Sequence, residues 1–212
     1  MKTTLVVTRT DFLSAIGQPN SHSVNTRLSS TASDRLWNLN SLLASRSWVE
    51  SDTRFVQPIA YVTLVRYAKG VLELLVYERG SGSNEKRLVD QYSIGYGGHI
   101  EELPKDTLGA VVASSAEREL VEELGSQVLT PEVRSHIASG IWRNPHIYWD
   151  CSTSVNSVHF GVLVPVIVSH EFEITAESGV INNARWMPIH EVDQLPLESW
   201  SRIALDSIVA RD

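Results

Sequence analysis

Between Thr107 and Leu124 apolar side chains recur at steps of four, Leu108, Val112, Ala116, Leu120 and Leu124, and Gly125 follows the last of them. That spacing lays one apolar stripe along a helix, and the glycine stands where a left-handed C-cap belongs. A stripe of this kind has to be buried against another layer, so the rest of the chain must supply a sheet or a second helix. The β-rich runs on both sides supply the sheet. IAYVTLVRYA and VLELLVYERG flank a Lys69-Gly70 turn and read as a hairpin, and VHFGVLVPVIV reads as a buried strand. Further strands are expected over Thr4–Thr8 and near Ala184–Pro188. A final amphipathic helix carries Trp200, Ile203, Ala204 and Ile208. The order implies an α/β fold with helices packed on a central sheet.

The 212 residues suit a single domain. The expected division is an N-terminal extension, 1–55, packed on a domain over 56–212. Within the extension, QPNSHSVNTRLSSTASD reads as a polar loop. Asp34 then reads as the N-cap of a short helix through Leu36, Trp37, Leu39, Leu42 and Leu43. The stretch after Gly125 reads as a polar connection to the aromatic-rich segment IWRNPHIYWD. No internal repeat is visible.

Lysine and arginine number 18 against 25 acidic residues, a net charge of 18 − 25 = −7, which disfavours non-specific grip on nucleic acid or an anionic membrane. One cysteine, Cys151, excludes an internal disulfide and fits a reducing compartment. The longest apolar run, Phe160–Val168, is interrupted by Pro165 and falls far short of the roughly 20 residues that span a bilayer. Arg9 and Asp11 break up the N-terminal segment before it can form a signal peptide. The expectation is a cytoplasmic protein with no membrane partner.

On the long helix, Glu119, Glu122 and Glu123 share one side while Leu120, Val121 and Leu124 point mostly the other way. Carboxylates this close repel one another, and at a helix C-terminus they also oppose the macrodipole. A run of glutamates is most often only a solvated helix face. Hard divalent cations with oxygen ligands would offset the repulsion, and Mg²⁺ is held by few carboxylates while keeping waters and phosphate oxygens. Upstream, Gly95, Gly97 and Gly98 bend the chain and can expose backbone groups to a metal or phosphate. Arg118 can pair with Glu122 or orient Glu119.

Gly97-Gly98-His99-Ile100-Glu101-Glu102, followed by Arg118-Glu119-Leu120-Val121-Glu122-Glu123-Leu124-Gly125, resembles the Nudix box, the signature of the Nudix hydrolase superfamily. The run SIGYGGHI, with YERG upstream and VHFG downstream, looks like one branch of that superfamily, known as predicted phosphoesterases. There are two departures. The stretch between Gly98 and Arg118 is about six residues longer than the family pattern, so Glu101, Glu102 or Asp106 would have to replace its first glutamate. Ser126 stands where the family has an aliphatic residue.

The resemblance implies an α/β/α sandwich of Nudix type with a mixed central sheet. It implies a pyrophosphohydrolase acting on acid anhydrides, cleaving a nucleoside diphosphate derivative (NDP-X) to NMP and P-X with Mg²⁺ or Mn²⁺ as cofactor. Glu119, Glu122 and Glu123 would bind the metal with a carbonyl of Gly97 or Gly98, and Glu119, Arg118 and Glu122 form the catalytic set. Glu119, or one of Glu171, Glu173 and Glu177, is the candidate base. The substrate-binding set is Arg79, Arg87, His99 and Glu102, with Lys86 on the same cationic rim. Trp142, His146, Tyr148 and Trp149 could stack a base or fill a core, and His159 reads as an inward-facing histidine. The expected partner is a small nucleotide-type diphosphate, and a homodimer is a reasonable expectation. The alternative is a Nudix-fold ligand sensor or protein-binding module without turnover.

Overall fold

The computed structural model describes residues 2–80, 91–175 and 181–210. The architecture is α/β with a mixed sheet, the class expected. The chain divides into two compact units, Met1–Tyr61 with Gly97–Ala116 and Ile137–Val164, and Val62–Tyr96 with Glu117–His136 and Pro165–Asp212.

In the first unit β1 (Thr3–Thr8) lies between β3 (Leu42–Ser45) and the start of β4 (Phe55–Ala68), antiparallel to both, with Thr3 opposite Ser45 and Val7 opposite Val56. The hydroxyl of Thr8 accepts from Asp11 N–H and starts α1 (Arg9–Ala15). A second ladder in this unit joins β2 (Ser23–Arg27), β8 (His146–Asp150) and β9 (His159–Ile167), again antiparallel. The core of the unit is aromatic. Phe12 stacks on Phe160 at 4.4 Å and meets Trp149 edge-on, and buried Trp37 donates its indole N–H to the Ile141 carbonyl at 3.0 Å.

Three local expectations are corrected. The polar stretch from Gln18 holds strand β2, because β8 supplies the pairing that four polar positions around one buried valine, Val24, could not announce. Helix α2 (Ser30–Trp37) is capped by Ser29, whose hydroxyl accepts from Ala32 N–H, and not by Asp34, which lies inside it. The helix stops at Trp37, so Leu42 and Leu43 belong to β3, ahead of the short α3 (Arg46–Val49).

In the second unit β5 (Val71–Arg79) pairs with β4, β6 (Tyr92–Ser93) and β10 (Ile181–Pro188), and β7 (Gly95–Tyr96) pairs with β4. The β4–β5 hairpin turns at Lys69-Gly70, both at positive φ (51° and 81°), as a tight turn between right-twisted strands requires. The long helix α4 (Leu108–Leu124) runs from the first unit into the second, and its apolar stripe is buried as predicted. Gly125 follows at φ 92°, and its N–H closes onto the Val121 carbonyl. The connection expected after it is instead a helix, α5 (Pro131–Trp142), which Thr130 caps through Val133 N–H and which buries Val133, Ile137 and Ile141. Short α6 (Ile189–Val192) and α7 (Ser199–Val209) complete the chain. No helix among the described residues is long and apolar enough to cross a membrane.

Candidate functional site

The last two turns of α4 place Arg118 over two of its neighbours. Its guanidinium donates to Glu119 Oε1 at 2.6 Å and to Glu122 Oε2 at 2.7 Å. Glu119 is largely covered, its side chain 13% exposed, whereas that of Glu122 is 55% exposed. Burial works against the arginine's charge, but the two carboxylates outweigh it and raise its pKa. One planar fork thus holds two acids that would otherwise repel each other. Glu117, on another side of the same turns, is bound to Arg134 of α5.

Glu123 belongs to a more buried environment. Its charge bears on Tyr77 and Tyr96, fully buried rings 5.2 Å apart. Burial is the main reason both phenols are pushed well above their ordinary range. Tyr77 Oη donates to the Gly95 carbonyl at 3.0 Å, and Ser93 Oγ reaches the same oxygen at 3.3 Å. Ser93 also donates to Glu198 at 2.8 Å, and Ile94 N–H donates to Ser201 Oγ at 3.0 Å. These buried groups pin the glycine-rich segment to the start of α7. Sequence reasoning missed Glu198 and Ser201, for which only the turn before a helix gave any signal.

On the first unit's side of the bend, Gly97 sits against Ala60. A Cβ there would lie 1.9 Å from the Ala60 carbonyl oxygen, so only glycine fits. His99 bridges to Ile59, and its Nε2 lies 3.1 Å from His159 Nε2, while His159 Nδ1 is 2.7 Å from the Val155 carbonyl. The carbonyl fixes the proton of His159 on Nδ1, so in the neutral pair His99 Nε2 donates to His159. Burial, then the charges of His159, Arg46 and Lys2, push His99 down to about 3. His99 is therefore neutral in the folded protein at pH values where an unfolded histidine, at about 6.5, takes a proton. Stability is expected to fall as pH drops from 6.5 toward 3. Urea midpoints measured in EDTA at pH 8, 6.5 and 5 should decline in that order, and His99→Gln should flatten the decline. An unchanged slope in that variant would refute the assignment.

The other predicted residues are dispersed. Arg79 pairs with buried Glu198 at 3.2 Å. Glu102 accepts from Ser114 Oγ at 3.4 Å. Arg87, Lys86 and Glu177 lie outside the described residues. Glu171 pairs with Arg66 at 3.0 Å, and Glu173 is exposed. Tyr148 and Trp149 are buried in the interior of their unit, whereas Trp142, edge-on to Trp37, is 42% exposed. His146 reaches Asn25 at 2.7 Å.

Among the described residues no three His, Cys, Asp or Glu side chains converge where a metal ion could sit. Mg²⁺ does not require such convergence, because it is held through one or two carboxylates and completes its shell with water and phosphate oxygens. A carboxylate pair on one helical turn, preorganised by an arginine, fits that donor set.

The fold is shared with solved Nudix proteins. Tm1382, described as a candidate Nudix hydrolase, superposes with a TM-score of 0.74 at 21% identity over 100% of both chains. A NUDIX hydrolase from Alicyclobacillus acidocaldarius superposes with a TM-score of 0.51 at 16% identity, over 73% of this chain and 91% of that one. The NUDIX domain of Shewanella oneidensis NrtR, solved with ADP ribose, gives 0.50 at 16% identity, over 74% and 88%. In sequence the chain is 30% identical to Protein YmaB of Bacillus subtilis (strain 168) over 166 residues, 76% of this chain and 75% of YmaB, and it belongs to the same family as that protein. No family profile matches it.

Proposed function

We propose that the protein is a divalent-metal-dependent hydrolase that cleaves the diphosphate linkage of a nucleoside diphosphate derivative, releasing NMP and P-X. The observation that carries this reading is the Arg118 fork, which holds Glu119 and Glu122 together on the last turns of α4. The ADP ribose bound by the NrtR domain is a compound of the proposed class.

Glu119, Glu122 and Glu123, with a carbonyl of Gly97 or Gly98, would hold Mg²⁺ or Mn²⁺. Bound there, the ion would lower the pKa of a water and neutralise charge on the diphosphate oxygens. Arg118 orients Glu119, which, like Glu171, Glu173 or Glu177, is a candidate to take the proton of the attacking water. The cluster of Tyr77, Ser93 and Glu198 fixes the backbone leading into the Gly97-Gly98 bend. Arg79, Arg87, His99 and Glu102 are the residues proposed to contact the substrate.

The test is phosphate release, after coupling with a phosphatase, across nucleotide sugars, dinucleotides, NADH, FAD, ADP-ribose and nucleoside triphosphates with Mg²⁺, Mn²⁺ or EDTA. The expected result is release from one substrate class, abolished by EDTA. The longer stretch before α4, which puts the first glutamate of the family pattern out of register, favours a second reading, a ligand sensor or binding module without turnover. Silence across the panel from folded, metal-bound protein would favour that reading or a substrate outside the panel.

A further inference from the structure

The register of the three-stranded ladder in the first unit puts an unusual set of side chains on one face. Thr8 stands opposite Phe55, so Thr4 and Val6 of β1 share a face with Phe55, Gln57 and Ile59 of β4. Thr4 stands opposite Ala44 on β3, which puts Ala44 on that face as well. One half of the face is apolar, with Val6, Ala44 and Val49 clustered and Phe55 packed on them. The other half is polar and cationic.

Beyond the Thr3–Ser45 pair, Arg46 N–H donates to the Lys2 carbonyl at 3.1 Å, which sets Lys2 and Arg46 opposite each other on the Thr4 side. Like charges directly across a ladder destabilise it unless something negative lies between them. Arg46 has a partner in Glu50, on its outer side four residues along, at 3.0 Å. Next to Lys2 on this face, Thr4 Oγ1 is buried, 1% exposed, and diagonal to Thr4, opposite Val6, both amide atoms of fully buried Gln57 are covered; none of the three has a hydrogen-bond partner among the described residues. Each such group costs free energy until something bonds it. His99 stands opposite Ile59 on this face, and Leu5 N–H donates to Ile100 O at 2.7 Å, tying the segment after the glycine bend to β1.

We propose that Lys2, Thr4, Arg46 and Gln57, beside His99, form a phosphate-binding site that takes one phosphate group of the diphosphate substrate. Two cations supply the charge, and the Thr4 hydroxyl and the Gln57 amide N–H supply directed donors. His99 follows Gly97-Gly98 in sequence, so the site adjoins the proposed catalytic bend. This gives the N-terminal extension a role in substrate selection. The substrate part of the inference rests on the hydrolase reading, whereas the phosphate site itself does not.

The experiment measures binding of inorganic phosphate and pyrophosphate to the full chain by calorimetry in EDTA, so neither metal nor turnover enters. Wild-type protein should bind saturably. Thr4→Val and Arg46→Gln should each weaken binding roughly ten- to hundredfold, the range expected for losing a hydrogen bond to a charged group. Arg54→Gln removes an equal charge from an exposed arginine paired with Asp52 and should change nothing. Arg46 lies near the surface, so its variant carries the test if Thr4→Val fails to fold. Absence of phosphate binding in the wild type, or equal binding in wild type, Arg46→Gln and Arg54→Gln, overturns the proposal. If phosphate binding is lost as expected while the substrate panel is silent, the site stands and the hydrolase reading is disfavoured. If the panel shows activity and Arg46→Gln leaves KM unchanged, the substrate role falls.

Discussion

Replacing Glu122 with Gln, or Glu123 with Gln, is expected to reduce turnover on the order of 10²–10³-fold, the range for removing one group that stabilises developing charge. The fold should survive. Gln keeps the shape of Glu, and the Glu122 side chain is 55% exposed, so the variant loses only one of two arginine bridges at the surface. Such a bridge contributes about 0–1 kcal/mol. The separation of the two effects is the informative part, because a structural carboxylate would lower stability and activity together. Steady-state rates at saturating Mn²⁺, set beside urea midpoints, would show it. Near wild-type turnover from a folded Glu122→Gln protein would remove the catalytic assignment.

Gly97→Ala should strongly destabilise the glycine-rich bend. The new Cβ would meet the Ala60 carbonyl oxygen at 1.9 Å and the carbonyl carbon at 3.1 Å, both backbone atoms of a buried strand. No side-chain rotation relieves such a contact, so one segment must move. Overpacking of this kind costs roughly 1–3 kcal/mol, occasionally more. A urea midpoint equal to wild type would show that the bend yields freely, contrary to this packing. The shift would also displace the carbonyl assigned to the metal. Any folded fraction is therefore expected to need more Mn²⁺ for half-maximal rate.

Helix α4 was legible because its information is local. Leu108 to Leu124 repeat at steps of four, Gly125 ends the run, and the same periodicity places Glu119 and Glu122 within reach of Arg118. The Lys69-Gly70 hairpin was legible for the same reason, since two adjacent positive φ angles select those residue types. Helix α5 had a local signal that was overlooked. Pro131 at the first position, Thr130 before it, and Val133, Ile137 and Ile141 at steps of four describe a capped amphipathic helix.

Strand β2 had no such signal. Ser23, Asn25 and Thr26 form a strand because β8 presents an unpaired edge, and an edge more than 100 residues away leaves no trace in local composition. The same distance governs the site. From the sequence alone the chemistry of the acidic helix follows, because spacing along one helix fixes which residues share a face. Only the tertiary structure decides that Arg79 is bound to Glu198, that Trp149 is interior, and that Lys2, Thr4, Arg46, Gln57 and His99 share one sheet face. Those relations depend on strand register, which long-range hydrogen bonding and burial set together and which a one-residue slip would reverse.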